Sequence, residues 1–235
     1  MTTDTTSGRV AVITGGFGAL GRVVAAAAAE RGYRVAVLGH TAKPPAELAE
    51  ARGAFLLGGI DLAEEAAAKA AMDKVMARFK RLDALFNIAG GFRWIKLEDS
   101  SAEDLASLFR INVQTAANAA RAALRFLKSS PAGRIVNVGA ISAKQAAAGM
   151  GPYAAAKGGV MRLTEAWAEE LKETSVTVNA VLPSIIDTAQ NRADMPKADF
   201  SRWVAPKDLA AVMLYLASEE ARAITGALVE VRGRV

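Results

Sequence analysis

Seven short runs rich in β-branched and aromatic residues punctuate the 235-residue chain: RVAVIT (9–14), YRVAVL (33–38), AFLL (54–57), LDALFNIA (82–89), GRIVNVG (133–139), SVTVNAVL (175–182) and ALVEV (227–231). Stretches of helix formers near 19–31, 62–80, 101–128, 151–173 and 206–219 separate most of them and are too long for hairpin turns. A strand that returns parallel to its predecessor needs a crossover of that length. The alternation therefore predicts an α/β fold, a parallel sheet covered by helices on both faces. No boundary interrupts the pattern, so residues 1–235 are read as a single domain. Only residues 184–205 resist assignment. Their breaker-rich text, DTAQNRADMPKADFSRW, predicts a mobile loop or short-helix lid over the carboxyl edge of the sheet, where open α/β sheets bind ligands.

Composition narrows the chemistry. With no cysteine and one histidine, His40, the chain has no disulfide, no thiol nucleophile and no material for a thiolate or histidine metal site, so no metal is expected. A Ser-His-Asp triad is equally hard to assemble. The apolar fraction of 52% beside 23% charged residues is that of a folded globular protein. No run approaches the length of a membrane span, and the start MTTDTTSGR lacks the apolar core of a secretory signal, so a cytoplasmic protein with no membrane partner is expected. The net charge of +5 suits an anionic ligand, but the basic residues are scattered among acids, which argues against nucleic acid as a partner.

TGGFGALG (14–21) follows the first strand and opens the first helical stretch, with Gly16, Gly18 and Gly21 in G-x-G-x-x-G register. Glycines there allow a tight turn and close backbone approach, and a helix N-terminus offers free N–H groups to a pyrophosphate. Together with the second strand this is a βαβ dinucleotide-binding unit, and Gly15, Gly16, Phe17, Gly18, Ala19, Leu20 and Gly21 are its candidate cofactor contacts. Where many such folds carry an acid after the second strand to hold the adenosine ribose, this chain has Gly39, His40 and Thr41. No carboxylate stands there to repel a 2′-phosphate, and His40, Thr41 and Lys43 offer donors to one. NADP(H) is accordingly favoured over NAD(H).

Tyr153 and Lys157 form a Y-x-x-x-K pair one helical turn apart. A free phenol titrates near ~10, and a cation at i+4 favours its ionised form, so the spacing suits a proton-transfer group.

With TGGFGALG, Asp61-Leu62 after the third strand, NIAGG (87–91), Asn112 in RINVQT, Tyr153 with Lys157, and LPSIIDT (182–188), nearly the whole chain resembles the short-chain dehydrogenase/reductase family. The resemblance implies a Rossmann-type doubly wound parallel seven-stranded sheet, a nicotinamide cofactor, a small-molecule substrate and a homotetramer or homodimer. It also implies roles: Tyr153 as proton donor or acceptor, Lys157 binding the nicotinamide ribose and lowering the tyrosine pKa, and Asn112 anchoring a proton-relaying water. Asp61 and Leu62 would stand near the adenine, and Asn87, Ala89 and Gly90 would line the adenosine side. Pro183, Ile186 and Thr188 would hold the carboxamide and phosphate side. Ala19, Ile88 and Ser184 depart from the family pattern at positions where small side chains or backbone contacts suffice.

A fourth departure bears on chemistry. Thirteen residues before Tyr153, where the family carries a serine for the substrate oxygen, stands Ala140. Losing such a donor costs an ordinary enzyme about 10²- to 10³-fold. Ser142 can replace it only if the chain folds back, since two extended residues displace a side chain by about 6 to 7 Å. The other answer is a substrate already activated by conjugation. GGFGALG, GMGPYAAAK and LPSIIDTAQNRADMPKADFSRW locally resemble the quinonoid dihydropteridine reductases, which lack that serine, although Gly39 and Asn112 depart from them. Phe92, Trp94, Met150, Met195, Phe200 and Trp203 are candidate pocket walls, and Arg93, Arg192 and Lys197 candidate anchors for an acidic substrate. The expected activity is hydride transfer to a carbonyl, quinonoid or imine-type carbon. The alternatives are an ordinary ketone or alcohol dehydrogenase such as a 3-oxoacyl reductase, and an NADP-sensing protein without turnover.

Overall fold

The structure is a computed structural model that describes residues 8–49 and 53–235. The first residues of MTTDTTSGR, on which the reading of a missing secretory signal rests, lie outside that range. Seven strands form one parallel sheet: β1 (Val10–Thr14), β2 (Arg34–Leu38), β3 (Phe55–Leu57), β4 (Ala84–Asn87), β5 (Arg134–Val138), β6 (Thr177–Pro183) and β7 (Leu228–Val231). Their order is β3-β2-β1-β4-β5-β6-β7, the doubly wound Rossmann arrangement, with its switch point between β1 and β4.

The helices are α1 (Ala19–Glu30), α2 (Ala46–Ala49), α3 (Glu65–Phe79), α4 (Ala102–Phe109), α5 (Thr115–Lys128), α6 (Gly151–Glu170), α7 (Ala189–Asp194) and α8 (Pro206–Leu216). Strand residues alternate between two buried faces. Ala11, Ile13, Val35, Val37, Ala84, Phe86 and Val136 pack with α1 and α8. Val10, Val12, Ala36, Leu38, Leu85 and Ile135 pack with α3, α5 and the end of α6. Burial on both faces is why these strands read as continuous apolar runs. Among the described residues no helix is long and apolar enough to cross a membrane.

The expected single helix over 101–128 is interrupted. Residues Arg110–Gln114 form a π-helical turn between α4 and α5. Asn112 causes it. Its Nδ2 donates to Leu108 O at 3.0 Å, taking the carbonyl four residues back that an α-helix would give to a backbone N–H. Thr115 Oγ1 likewise donates to Ile111 O at 2.8 Å. Side-chain competition of this kind widens a turn, and such bulges gather at functional sites.

Away from the carboxyl edge, Asp83 ties the sheet together. The carboxylate is 1% exposed and accepts from Val10 N, both Arg81 Nε and Nη2, and Ser130 Oγ at 2.7 to 2.8 Å. Burial pushes its pKa up, but the Arg81, Ser130 and Val10 donors outweigh it and leave the group below the ordinary carboxylate value. Asp83→Ala strands those donors and is expected to cost roughly 3 kcal/mol or more, read as a lowered urea midpoint at pH 7. The folded pKa is depressed, so this contribution is present above the unfolded value of 3.8 and is lost as pH falls through the lower folded one. An acid-unfolding curve shared by parent and variant would count against it.

Candidate active site

The carboxyl ends of β1 and β4 meet at the switch point through Thr14, a residue the sequence reading passed over. Its Oγ1 accepts from Ile88 N and Ala89 N at 3.0 and 3.1 Å and donates to Phe86 O. Gly15 follows with φ +62°, and a Cβ there would stand 2.7 Å from Ala89 N, so only glycine lets the two loops close. The turn runs through Gly16 and Phe17 to Gly18, whose N–H donates to Gly15 O at 3.0 Å. Gly18 is the N-cap of α1 and supplies no side-chain cap, and neither Ala19, Leu20 nor Gly21 adds an acid to the first turn. The loop thus leaves donors at a helix N-terminus beside a side-chain-free surface. That fits a pyrophosphate.

At the end of β2 the Phe17 ring lies over Gly39, where a Cβ would fall 2.0 Å from its Cδ2. A side chain at position 39 would require that ring to move. His40 and Thr41 are exposed beside it, with Thr41 Oγ1 bonded to Lys43 O.

Asp61 accepts from Ala63 N and from Arg110 Nη2 at 2.9 Å, and the Arg110 bond holds its carboxyl below the ordinary range. Leu62 is buried in the core against α3 and α5 rather than open to a ligand. Asn87 is buried too. Its Nδ2 goes to Asn137 Oδ1 at 2.9 Å and to Ala116 O, while its Oδ1 has no partner. Its side chain therefore braces β4 against β5 and α5, leaving Ala89 and the exposed Gly90 as the open part of that loop.

Two predicted residues, Asn112 and Lys157, converge on a third, Gly90. A Cβ placed on it would stand 2.5 Å from Asn112 Oδ1 and 3.4 Å from Lys157 Nζ. Asn112 is held by Gly91, whose N–H it accepts and whose carbonyl it bonds at 2.9 Å. Lys157, one turn beyond Tyr153 on α6, is buried and donates to Val138 O at 2.8 Å. Burial lowers its pKa to about 8.

Tyr153 is partly buried, has no hydrogen bond to any described residue, and meets the Phe92 ring edge to face, with centroids 4.9 Å apart. Burial pushes its pKa up to about 12. That is opposite to the downward pull expected from a lysine at i+4. The ammonium is directed at Val138 O, and removal of the phenol from water dominates. The group is consequently a protonated phenol at neutral pH.

Ala140 is 5% exposed and extended, and a 3-10 turn, Ile141–Ala143, starts directly after it. Ser142 lies in that turn, partly exposed, with no hydrogen-bond partner among the described residues. Pro183 ends β6, Ile186 forms a parallel bridge with Val204, and the Thr188 hydroxyl caps α7 by accepting from Asn191 N.

Residues 184–205 hold α7 and a 3-10 turn, Phe200–Arg202. Trp203 is buried and packs on Phe200 at 4.8 Å, with Arg192 over the Phe200 ring and bidentate to Asp187. Arg93 is likewise paired, to Asp104 at 2.7 Å. Neither arginine is an unpaired anchor for an acidic substrate. A cleft of about 470 Å³ opens between Ile95, Leu97, Leu105, Ala147 and Pro152, beside the first turn of α6 but lined by neither Tyr153 nor the glycine loop.

The family model described as short chain dehydrogenase matches residues 9–199. The chain is similar to the 3-oxoacyl-acyl-carrier-protein reductase FabG of Vibrio cholerae, at 29% identity over 96% of each chain. It is 28% identical to the enzyme of that name from Thermotoga maritima, over 96% of this chain and 97% of the relative. An uncharacterized short-chain type dehydrogenase/reductase of Sinorhizobium fredii is 31% identical over 96% of both.

Proposed function

We propose, on the premise that this chain belongs to the short-chain dehydrogenase/reductase family, that it transfers hydride between a nicotinamide cofactor and a carbonyl, quinonoid or imine-type substrate, with Tyr153 giving or taking the proton. The observation that carries this reading is the convergence of Lys157 and Asn112 on Gly90 at the switch point, with Tyr153 one turn before the lysine. The bound nicotinamide supplies or accepts the hydride. The chain's own part is then to seat the pyrophosphate on Gly15–Gly21 and the nicotinamide ribose on Lys157. In reduction the phenol of Tyr153, protonated at neutral pH, delivers its proton to the substrate heteroatom.

NADP(H) is the proposed cofactor. Gly39, under the Phe17 ring, presents no acid to the ribose, and His40 and Thr41 are open to a 2′-phosphate. A cytoplasmic homodimer or homotetramer with a lid over 184–205 belongs to the same reading. The exposed Leu105 and Phe109 on α4 support association.

An acceptor activated by conjugation is proposed because position 140 offers a buried methyl group instead of a donor. The relatives named as 3-oxoacyl reductases favour a second reading, reduction of a 3-oxoacyl thioester with Ser142 as the donor. NADPH and NADH oxidation across quinones, diketones, dihydropteridines and acyl thioesters, with parent and Ser142→Ala, separates them. The first reading expects NADPH-dependent turnover of conjugated acceptors and near-parental rates for the variant. A fall of about 10²-fold or more supports Ser142 as donor, and cofactor binding without any turnover supports a sensor.

A further inference from the structure

Among the described residues Tyr153 has no hydrogen-bond partner for its hydroxyl. In the family pattern a serine serves the substrate oxygen, and here that position is the buried Ala140. The phenol ring packs on the buried cluster of Leu108, Val113, Ala156 and Val160, and its aromatic neighbour is Phe92, perpendicular to it at 89° with centroids 4.9 Å apart. Aromatic pairs in that geometry are held by the ring quadrupoles as well as by area.

Phe92 is half-exposed, and its neighbours in the chain are tied down. It sits in the stretch after β4 that is strapped to the loop entering α6. Trp94 Nε1 donates to Ala148 O at 2.9 Å, and Ile95 N donates to Gly149 O at 2.8 Å. The helix that carries Tyr153 in its first turn begins at Gly151 with no side-chain cap on Met150, so this strap is the polar link between the two walls.

We infer that Phe92 is a positioning residue, which holds the Tyr153 phenol ring by edge-to-face packing in a site where position 140 supplies no hydroxyl. The inference rests on the proposed role of Tyr153. Phe92 needs no contact with substrate in this role, which predicts a specific pattern of coupling.

The test is a double-mutant cycle between Phe92→Leu and Tyr153→Phe, run with NADPH on the acceptor turned over best in the screen above. Phe92→Leu is expected to lower kcat by roughly two- to twelvefold, the span of aromatic-pair energies, with the KM for NADPH unchanged. Phe92→Tyr, which keeps the ring, is expected to restore the rate. In the Tyr153→Phe background the same leucine change is expected to have no further effect, since no proton donor remains to be misplaced. An equal fall in both backgrounds, or a change confined to the acceptor KM, overturns the inference and makes Phe92 a substrate contact. Parental activity of Tyr153→Phe instead overturns the reading of Tyr153 itself. A fluorotyrosine spectrum gives an independent arm. Of the three tyrosines, the resonance lost in Tyr153→Phe is expected to shift in Phe92→Leu while the other two stay, and an unmoved resonance refutes the packing.

Discussion

Tyr153→Phe is expected to lower kcat by about 10²- to 10⁴-fold, the usual contribution of a positioned acid or base, while leaving the fold and the binding of NADPH intact. The structure makes this an unusually clean substitution. Among the described residues the phenol hydroxyl has no partner, so its removal strands no donor or acceptor there. The ring remains, and with it the edge-to-face contact to Phe92. The melting temperature is therefore expected to stay level or rise slightly. A variant that lost its fold would point to a structural tyrosine. One that kept full turnover would remove Tyr153 from the mechanism, leaving Lys157 and Asn112 around Gly90 without a proton donor.

The strands and crossovers were legible in the sequence because their signals are local. Burial of β1 on two faces writes itself as VAVIT, and a helix is needed wherever a parallel return is made. The glycine loop was legible for the same reason, since positive φ at Gly15 is a property of one residue. The π turn was not. It depends on Asn112 meeting Gly91, twenty-one residues away, and then taking the Leu108 carbonyl from its own helix. Thr14, which holds the switch-point loops together, is equally silent in sequence, because a threonine ending a strand is ordinary until Ile88 and Ala89 arrive beside it.

Two expectations changed sense once packing was visible. Leu62 and Asn87 sit next to the cofactor loops in sequence, yet the Leu62 side chain packs in the core and the Asn87 amide nitrogen is taken by Asn137 and Ala116 O. The tyrosine pKa changed direction for a related reason. Spacing along α6 reports that a cation is near, but not that its ammonium turns to Val138 O while the phenol is buried. Direction of side chains, more than their identity, was what the sequence withheld.

Lys157→Met is expected to stabilise the cofactor-free protein while abolishing most of its turnover. The lysine is buried at 5% exposure, and its amine has one carbonyl partner and no carboxylate. Its pKa falls from the ordinary 10.5 to about 8. Since each unit is worth about 1.4 kcal/mol, the charged form costs the folded state roughly 3 kcal/mol. Above pH 10.5 the lysine is neutral folded or unfolded and the cost vanishes; it grows as pH falls and is complete below about 8. Tyr153 works in the opposite sense at higher pH. Its folded pKa of about 12 lies above the unfolded 10.0, so its contribution is present below 10 and lost as pH rises toward 12. Denaturant titrations of the parent should accordingly show stability rising between pH 8 and 10 from this site, and the methionine variant should lack that rise. At pH 7 the variant is expected to exceed the parent by about 1 to 3 kcal/mol, after allowance for the orphaned Val138 carbonyl. Its kcat is expected to fall about 10²-fold or more, with a raised KM for the cofactor as the ribose contact goes. A variant less stable than the parent at pH 7 would mean that the ammonium is held by more than Val138, and the argument for a strained, functional lysine would fail.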